Sequence, residues 1–252
     1  MILVILSVIL IAMLFAPLGC VLLWQRQAYF ADGLAHSCLL ASSLSVALNL
    51  PILLAAPISA IIFAVMFFAT KKNGNSAAIN LVSSSLFSIG VIVASKLPNR
   101  VNLNNLLFGD IISVSYYDLV VVLIITIIST VFLWQKFGDI ILLSLNRDLA
   151  KSSGVNVASL EFLFLTFLAV VLSITMKMVG ALLASSILIL PAFSASLISK
   201  TPIHMLFLSV IFGISAGIVG VLLSFFFDLP TSPTIVLIYG AMYFMVRVWG
   251  RN

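Results

Sequence analysis

Asp32 and His36 stand four residues apart in FADGLAHSCL, beside a long apolar run. On a helix, positions i and i+4 share a face, so a carboxylate oxygen and an imidazole nitrogen would point the same way. Such a pair is a two-toothed chelate for a divalent first-row metal. The same spacing suits an interfacial pair that only caps and anchors a helix, and spacing alone leaves both readings open. Asp228, in SFFFDLPTSP, is the other acid with a place to act, although aspartate before a proline-rich turn is equally good helix-terminating chemistry. His204, in SKTPIHM, reads as an interfacial side chain, and Glu161 and Lys177 as helix-end groups that snorkel toward water. Cys20 and Cys38 fit no redox or metal spacing and read as small packing residues. His36 and His204 are the only histidines, which excludes a histidine-rich metal centre.

These groups have to be held by elements built almost wholly from apolar residues. Of 252 residues, 63% are hydrophobic and 8% charged. Soluble domains carry about a quarter charged residues. Runs of about 20 apolar residues recur, each long enough to cross a hydrocarbon core about 30 Å thick. They are continuous rather than alternating, which argues against a spanning barrel. The fold class is therefore all-α, a polytopic transmembrane helical bundle of eight to nine spans. The candidate spans are 2–24, 34–50, 52–70, 77–97, 117–136, 159–176, 178–199, 203–224 and 231–247. The second is short, is interrupted by Ser42, Ser43 and Ser45, and stops at Pro51; if it enters the membrane only part-way, eight spans remain. The opening run lacks a basic leader region and is too long for a signal peptide, so it is expected to be a retained first span.

The net charge of +5 does not call for nucleic acid, because Lys and Arg collect in the cytoplasmic loops of membrane proteins. With the N-terminus outside and nine crossings, nine of the twelve Lys and Arg fall on inner ends and loops, and the outer side keeps Lys96, Arg100 and Lys177. In that topology Asp32 and His36 enter the bundle from the inner side while Asp228 lies at the outer surface. The three would be two stations on one path, or the second helix would be re-entrant. Small residues mark close helix approach: Gly213, Gly217 and Gly220 in GISAGIVG, and Ser83, Ser84, Ser85 and Ser88 in SSSLFS. The serines would serve packing or line a polar path. Pro191, inside an apolar run, is expected to kink or break its helix. No G-x-x-x-x-G-K-[ST] occurs, so the chain cannot cradle ATP by that device.

Two connections are long enough to have work of their own. One, residues 97–117, is expected outside, and the other, residues 137–158, inside. The inner one contains LNRDLAKSSGVNVASLE, which reads as a short amphipathic helix. Leu145, Leu149 and Val155 are apolar, Arg147, Asp148 and Lys151 are charged, and Gly154 is a C-terminal stop. A helix of this kind docks a cytoplasmic partner or lies flat on the membrane.

Five blocks together resemble the membrane permease subunits of bacterial ABC importers for divalent metals, the family that takes up zinc, manganese or iron. APLGCVLLWQRQAYFADGLAHS resembles the family's opening, with Asp32 and His36 in its aspartate-to-histidine run and Gly33 where alanine is usual. LLFGDIISVSYYDL resembles the outer loop, with Gly109 and Asp110, and RDLAKSSGVNV the inner coupling segment. MKMVGALLASSILILPAFSA, with Val179, Gly180, Pro191 and Ala192, is similar to its most recognisable block, and DLPTSPTIVL to its closing one. The likeness covers nearly the whole chain and is greatest to high-affinity zinc-uptake permeases. The chain departs from the pattern at Ser232, where glycine is usual, at Leu40-Ala41-Ser42 after His36, and near Val82-Ser83-Ser84, where some zinc permeases carry a histidine.

The resemblance implies a single transmembrane permease domain over residues 1–252, with a coupling segment at 145–158. It implies an ATP-driven importer that moves Zn2+ into the cytoplasm, with manganese or iron as the alternative cargo. Asp32, His36 and Asp228 would be metal ligands. Arg147, Asp148, Leu149, Lys151 and Gly154 would couple to the ATPase, and Gly109 and Asp110 would face the binding protein. The expected partners are a separate cytoplasmic ABC ATPase, a periplasmic or lipoprotein metal-binding protein, a second copy of the chain and membrane lipid, with no nucleic acid. No cofactor and no catalytic residue of its own are expected, and the location is a bacterial inner membrane. An ion-driven secondary transporter would need internal repeats and mid-span acids, and the chain shows no obvious repeat and almost no such acids.

Overall fold

The computed structural model describes residues 2–70, 75–96, 109, 111 and 114–249, and all regular structure among them is helical. The helices are α1 (Ile2–Trp24), α2 (Tyr29–Ala47), α3 (Ile52–Thr70), α4 (Asn75–Ser95), α5 (Tyr116–Leu145), α6 (Arg147–Ser152), α7 (Val157–Val179), α8 (Ala181–Ser196), α9 (Pro202–Phe227) and α10 (Thr231–Trp249). All but α6 and α8 are long and apolar enough to cross a membrane, eight candidate spans among the described residues. The chain is a multi-pass membrane protein.

Three boundaries differ from the sequence expectation, each for a local reason. α2 begins at Tyr29, which puts Asp32 in its first turn, where the helix dipole favours a carboxylate. With 19 residues α2 is long enough for a full span. It ends where Asn49 takes φ 51° and the Leu50 N–H reaches back to Ser45 O at 3.0 Å, ahead of Pro51. The short apolar element is instead α8, whose 16 residues rise only about 24 Å. It runs on as a helix through Pro191. α5 has 30 residues and rises about 45 Å, roughly 15 Å more than a bilayer core needs. Residues 137–145, read as part of the inner loop, are therefore the last nine residues of α5.

The helices group into two compact units. The first comprises Met1–Ala28, Asp110–Leu145 and Ser186–Asn252. Within it, α9 packs against α1 and α10 along the small-residue face seen in the sequence. A Cβ on Gly213 would meet Ala12 Cβ at 3.1 Å, one on Gly217 Val8 Cγ1 at 2.5 Å, and one on Gly220 Ile235 Cα at 2.7 Å. This is the close approach that small residues allow where lipid offers no hydrophobic drive. The buried Tyr239 hydroxyl closes the seam by donating to Gly213 O at 2.8 Å. Cys20 is fully buried and its Sγ donates to Ser209 Oγ at 3.3 Å, so it is a packing residue as expected.

The second unit comprises Tyr29–Gly109 and Asn146–Ser185. α2 packs along α4 and α3, and α3 along α7. Its core is aromatic. Phe30 of α2 meets Phe63 and Phe67 of α3 edge-on, with ring centroids 5.3 and 5.4 Å apart, and Phe68 of α3 meets Phe162 of α7 at 5.3 Å. Edge-to-face pairs of this kind add about 0.5–1.5 kcal/mol beyond area burial.

Candidate functional site

Asp32 and His36 occupy the first two turns of α2. His36 Nε2 lies 4.0 Å from Asp32 Oδ2, and the two side chains are 48% and 56% exposed. That separation is too long for a direct hydrogen bond. A tetrahedral ion about 2.1 Å from each ligand atom would hold the two atoms about 3.4 Å apart. Small rotations about the side-chain bonds would close that difference.

The neighbouring helix supplies the rest of this face. A Cβ on Gly33 would fall on Ile79 Cγ2 and 3.2 Å from Phe63 Cζ, and Ser43 Oγ donates to Gly90 O at 2.8 Å. These two contacts, ten residues apart on α2 and eleven on α4, put the helices parallel and in register. Asn80 and Ser84 then stand level with the Asp32–His36 segment. Both are exposed, as is Ser88, and Ser84 Oγ donates to Asn80 Oδ1 at 3.3 Å. The His36 ring meets Phe87 edge-on at 6.3 Å and 86°. An exposed run of Asp, His, Asn and Ser on two apolar helices does not suit hydrocarbon. Ser83, by contrast, is buried and returns its hydroxyl to Asn80 O at 3.1 Å. The serine block thus divides between packing and the polar face.

The other sequence candidates lie elsewhere. Asp228 belongs to the first unit, where it ends α9 in the left-handed conformation with φ 52° and ψ 44°, its N–H donating to Ser224 O. Aspartate is one of the few non-glycine residues that adopt this backbone readily. Its side chain is exposed. His204 is exposed in the first turn of α9, with its N–H on the Thr201 cap. Among the described residues, no three His, Cys, Asp or Glu side chains gather to hold a metal ion. Gly109 has φ 65°, and a Cβ there would fall on the backbone of Val179 and Gly180, so close backbone contact fixes glycine at that position. Asp110 lies outside the described residues.

The inner segment forms α6, a helix of six residues. The Asn146 side chain caps it, accepting from Asp148 N at 2.8 Å and Leu149 N at 3.4 Å. Gly154 ends it at φ 83°, with Gly154 N–H on Lys151 O and Val155 N–H on Ala150 O, both at 3.0 Å. Ala150 is fully buried, whereas Leu145 and Leu149 are 75% and 50% exposed beside Asp148 and Lys151. Leu149 is thus an exposed apolar side chain on a short, firmly capped helix.

Glu161 is the residue that sequence reasoning missed. It is 6% exposed rather than snorkelling, and it accepts a hydrogen bond from Arg147 Nη2 of α6. The available signal was a lone acid near the start of an apolar span, with a basic residue on the preceding short helix.

Comparisons with known proteins bear on the whole chain. The family model described as the ABC 3 transport family matches residues 1–250. The high-affinity zinc uptake system membrane protein ZnuB of Buchnera aphidicola subsp. Baizongia pistaciae is 34% identical over 234 residues, covering 90% of this chain and 89% of that protein. The protein of the same name from Haemophilus influenzae is 30% identical over 251 residues, covering 97% and 95%. Among solved structures, PsaBC from Streptococcus pneumoniae in complex with Fab superposes with a TM-score of 0.85 at 25% identity, covering 97% of this chain and 89% of that one.

Proposed function

The chain belongs to the ABC 3 transport family, and from that premise we propose that it is the permease of an ATP-driven importer that moves Zn2+ across a bacterial inner membrane into the cytoplasm. The observation that carries the reading is the Asp32–His36 pair, half open on a polar face of two apolar helices. One carboxylate and one imidazole give a mixed oxygen and nitrogen donor set. Such a set holds a first-row divalent ion without enclosing it, as a path must if it is to release its cargo. A second copy of the chain would bring a second pair and complete four ligands. The zinc-uptake relatives favour zinc. The same donors accept manganese and ferrous iron, which are the alternative cargo.

In this reading Asp228 is a separate station, its backbone serving the α9 cap while its exposed carboxylate meets the ion. The loop with Gly109 and Asp110 receives the metal-binding protein. Arg147, Asp148, Leu149, Lys151 and Gly154 form the seat for a separate ATPase, and the permease itself catalyses nothing. Closure of the ATPase pair changes the state of the bundle only if the two states interact with it by different free energies.

The test is reconstitution of the chain with its ATPase in liposomes, with uptake competition among zinc, manganese and iron. ATP-dependent zinc accumulation that survives excess manganese and iron is the expected outcome. Accumulation without ATP, or none of any metal, would overturn the reading.

A further inference from the structure

We propose that Arg147 and Glu161 form the joint through which α6 drives the metal site, and that both are positioning residues for coupling ATP hydrolysis to transport. The inference rests on the permease reading above and adds a route and two residues to it. It starts from an imbalance across the ion pair. The Arg147 side chain is 55% exposed on the docking helix, whereas the Glu161 side chain is 7% exposed on α7. A carboxylate withdrawn from water this far needs its charge compensated, and Arg147 is one of the groups that do so, while the guanidinium can be solvated without its partner. The pair therefore holds α6 to α7 more firmly than its surface position suggests.

From Glu161 a series of ring contacts, joined by neighbouring residues on the same helices, leads toward Asp32 and His36, all within one compact unit. Phe162, the next residue, meets Phe68 of α3 edge-on at 5.3 Å. Phe67, beside it, meets Phe30 at the start of α2 at 5.4 Å, and Phe63 one turn earlier meets the same ring at 5.3 Å. Phe63 Cζ also stands 3.2 Å from where a Cβ would sit on Gly33, between Asp32 and the turn of His36. Aromatic rings in contact move as a body because close-packed interiors deform little. A displacement of α6 would thus reach the ligand-bearing turns of α2 through three helices and one ion pair.

The experiment uses the assembled permease–ATPase complex in liposomes and measures ATP hydrolysed per zinc ion accumulated. Glu161→Gln keeps the side-chain shape and removes the charge. The expected result is a complex that assembles and hydrolyses ATP normally, with the ATP-to-zinc ratio raised about tenfold, within the range such couplings span. Glu161→Asp, which keeps the charge, should stay within about twofold of the wild type. A residue that served only folding would lower assembly and hydrolysis together and leave the ratio unchanged. An unchanged ratio in Glu161→Gln, or a Glu161→Asp variant as uncoupled as Glu161→Gln, would overturn the joint. Failure of the permease reading looks different, because the wild-type complex itself would then show no ATP-driven uptake.

Discussion

Phe87 of α4 meets the His36 ring of α2 edge-on, with centroids 6.3 Å apart and planes at 86°. The contact limits how the ring turns. A ligand held in one orientation binds with less loss of freedom than one that must be ordered first. Phe87→Ala should therefore leave the fold intact and weaken zinc binding about three- to tenfold, since an aromatic pair contributes about 0.5–1.5 kcal/mol. Phe87→Leu should lose nearly as much if edge-on contact matters, and little if bulk alone does. Titration of the purified permease with zinc decides between them.

Gly33, beside Asp32, has no room for a side chain. A Cβ there would fall on Ile79 Cγ2 and press on Phe63. Gly33→Ala should destabilise the protein by about 1–3 kcal/mol, the usual range for an overpacked core. The partner is a side chain rather than backbone, so Ile79→Val or Ile79→Ala in the same chain should recover most of the loss. Thermal unfolding of the single and double variants in detergent tests this; equal losses in both would show that Ile79 is not the obstacle.

The α9 seam permits a graded test. Tyr239→Phe removes one buried hydrogen bond, and interhelical bonds of this kind average about 0.6 kcal/mol in membrane proteins. Gly220→Ala places a Cβ 2.7 Å from Ile235 Cα, a backbone atom that cannot swing aside. Its cost should be the larger, about 1–3 kcal/mol. The order of the two melting temperatures is the readout.

With only six residues, α6 depends on its cap. Asn146→Ala removes both hydrogen bonds to Asp148 N and Leu149 N, which costs about 1 kcal/mol. ATPase affinity should fall about fivefold, and Asn146→Asp, another good capping residue, should restore it. A binding titration of the ATPase against the permease in nanodiscs measures both.

Much of this was legible in the sequence because membranes impose simple rules. Long apolar runs gave the spans, GISAGIVG gave the α9 seam, and Gly154 gave the end of α6. Phe137-Gly138-Asp139 read as the start of a loop, yet α5 continues through it. Ile140 and Leu143 are buried there and Lys136 pairs with Asp139 at 3.5 Å, so packing and an i,i+3 ion pair outweigh the glycine. Glu161 was read as a snorkelling helix-end group, but it is buried against Arg147, because linear spacing does not say which loop folds back over which helix. The pairing of Asp32 with His36 was visible as a spacing. The polar face that Asn80 and Ser84 add beside it was not, because it depends on the register of α2 against α4.

Zinc binding to the permease by the Asp32→Asn and His36→Ala variants, alone and together, tests the central claim most directly. Both singles should bind at least about tenfold more weakly, a loss typical of a disturbed metal site. The double should be little worse than either, because two donors to one ion act as a unit. ATP-driven uptake at limiting zinc should fall in step. Wild-type affinity and uptake in both single variants would contradict the account, and would leave the pair as a helix anchor.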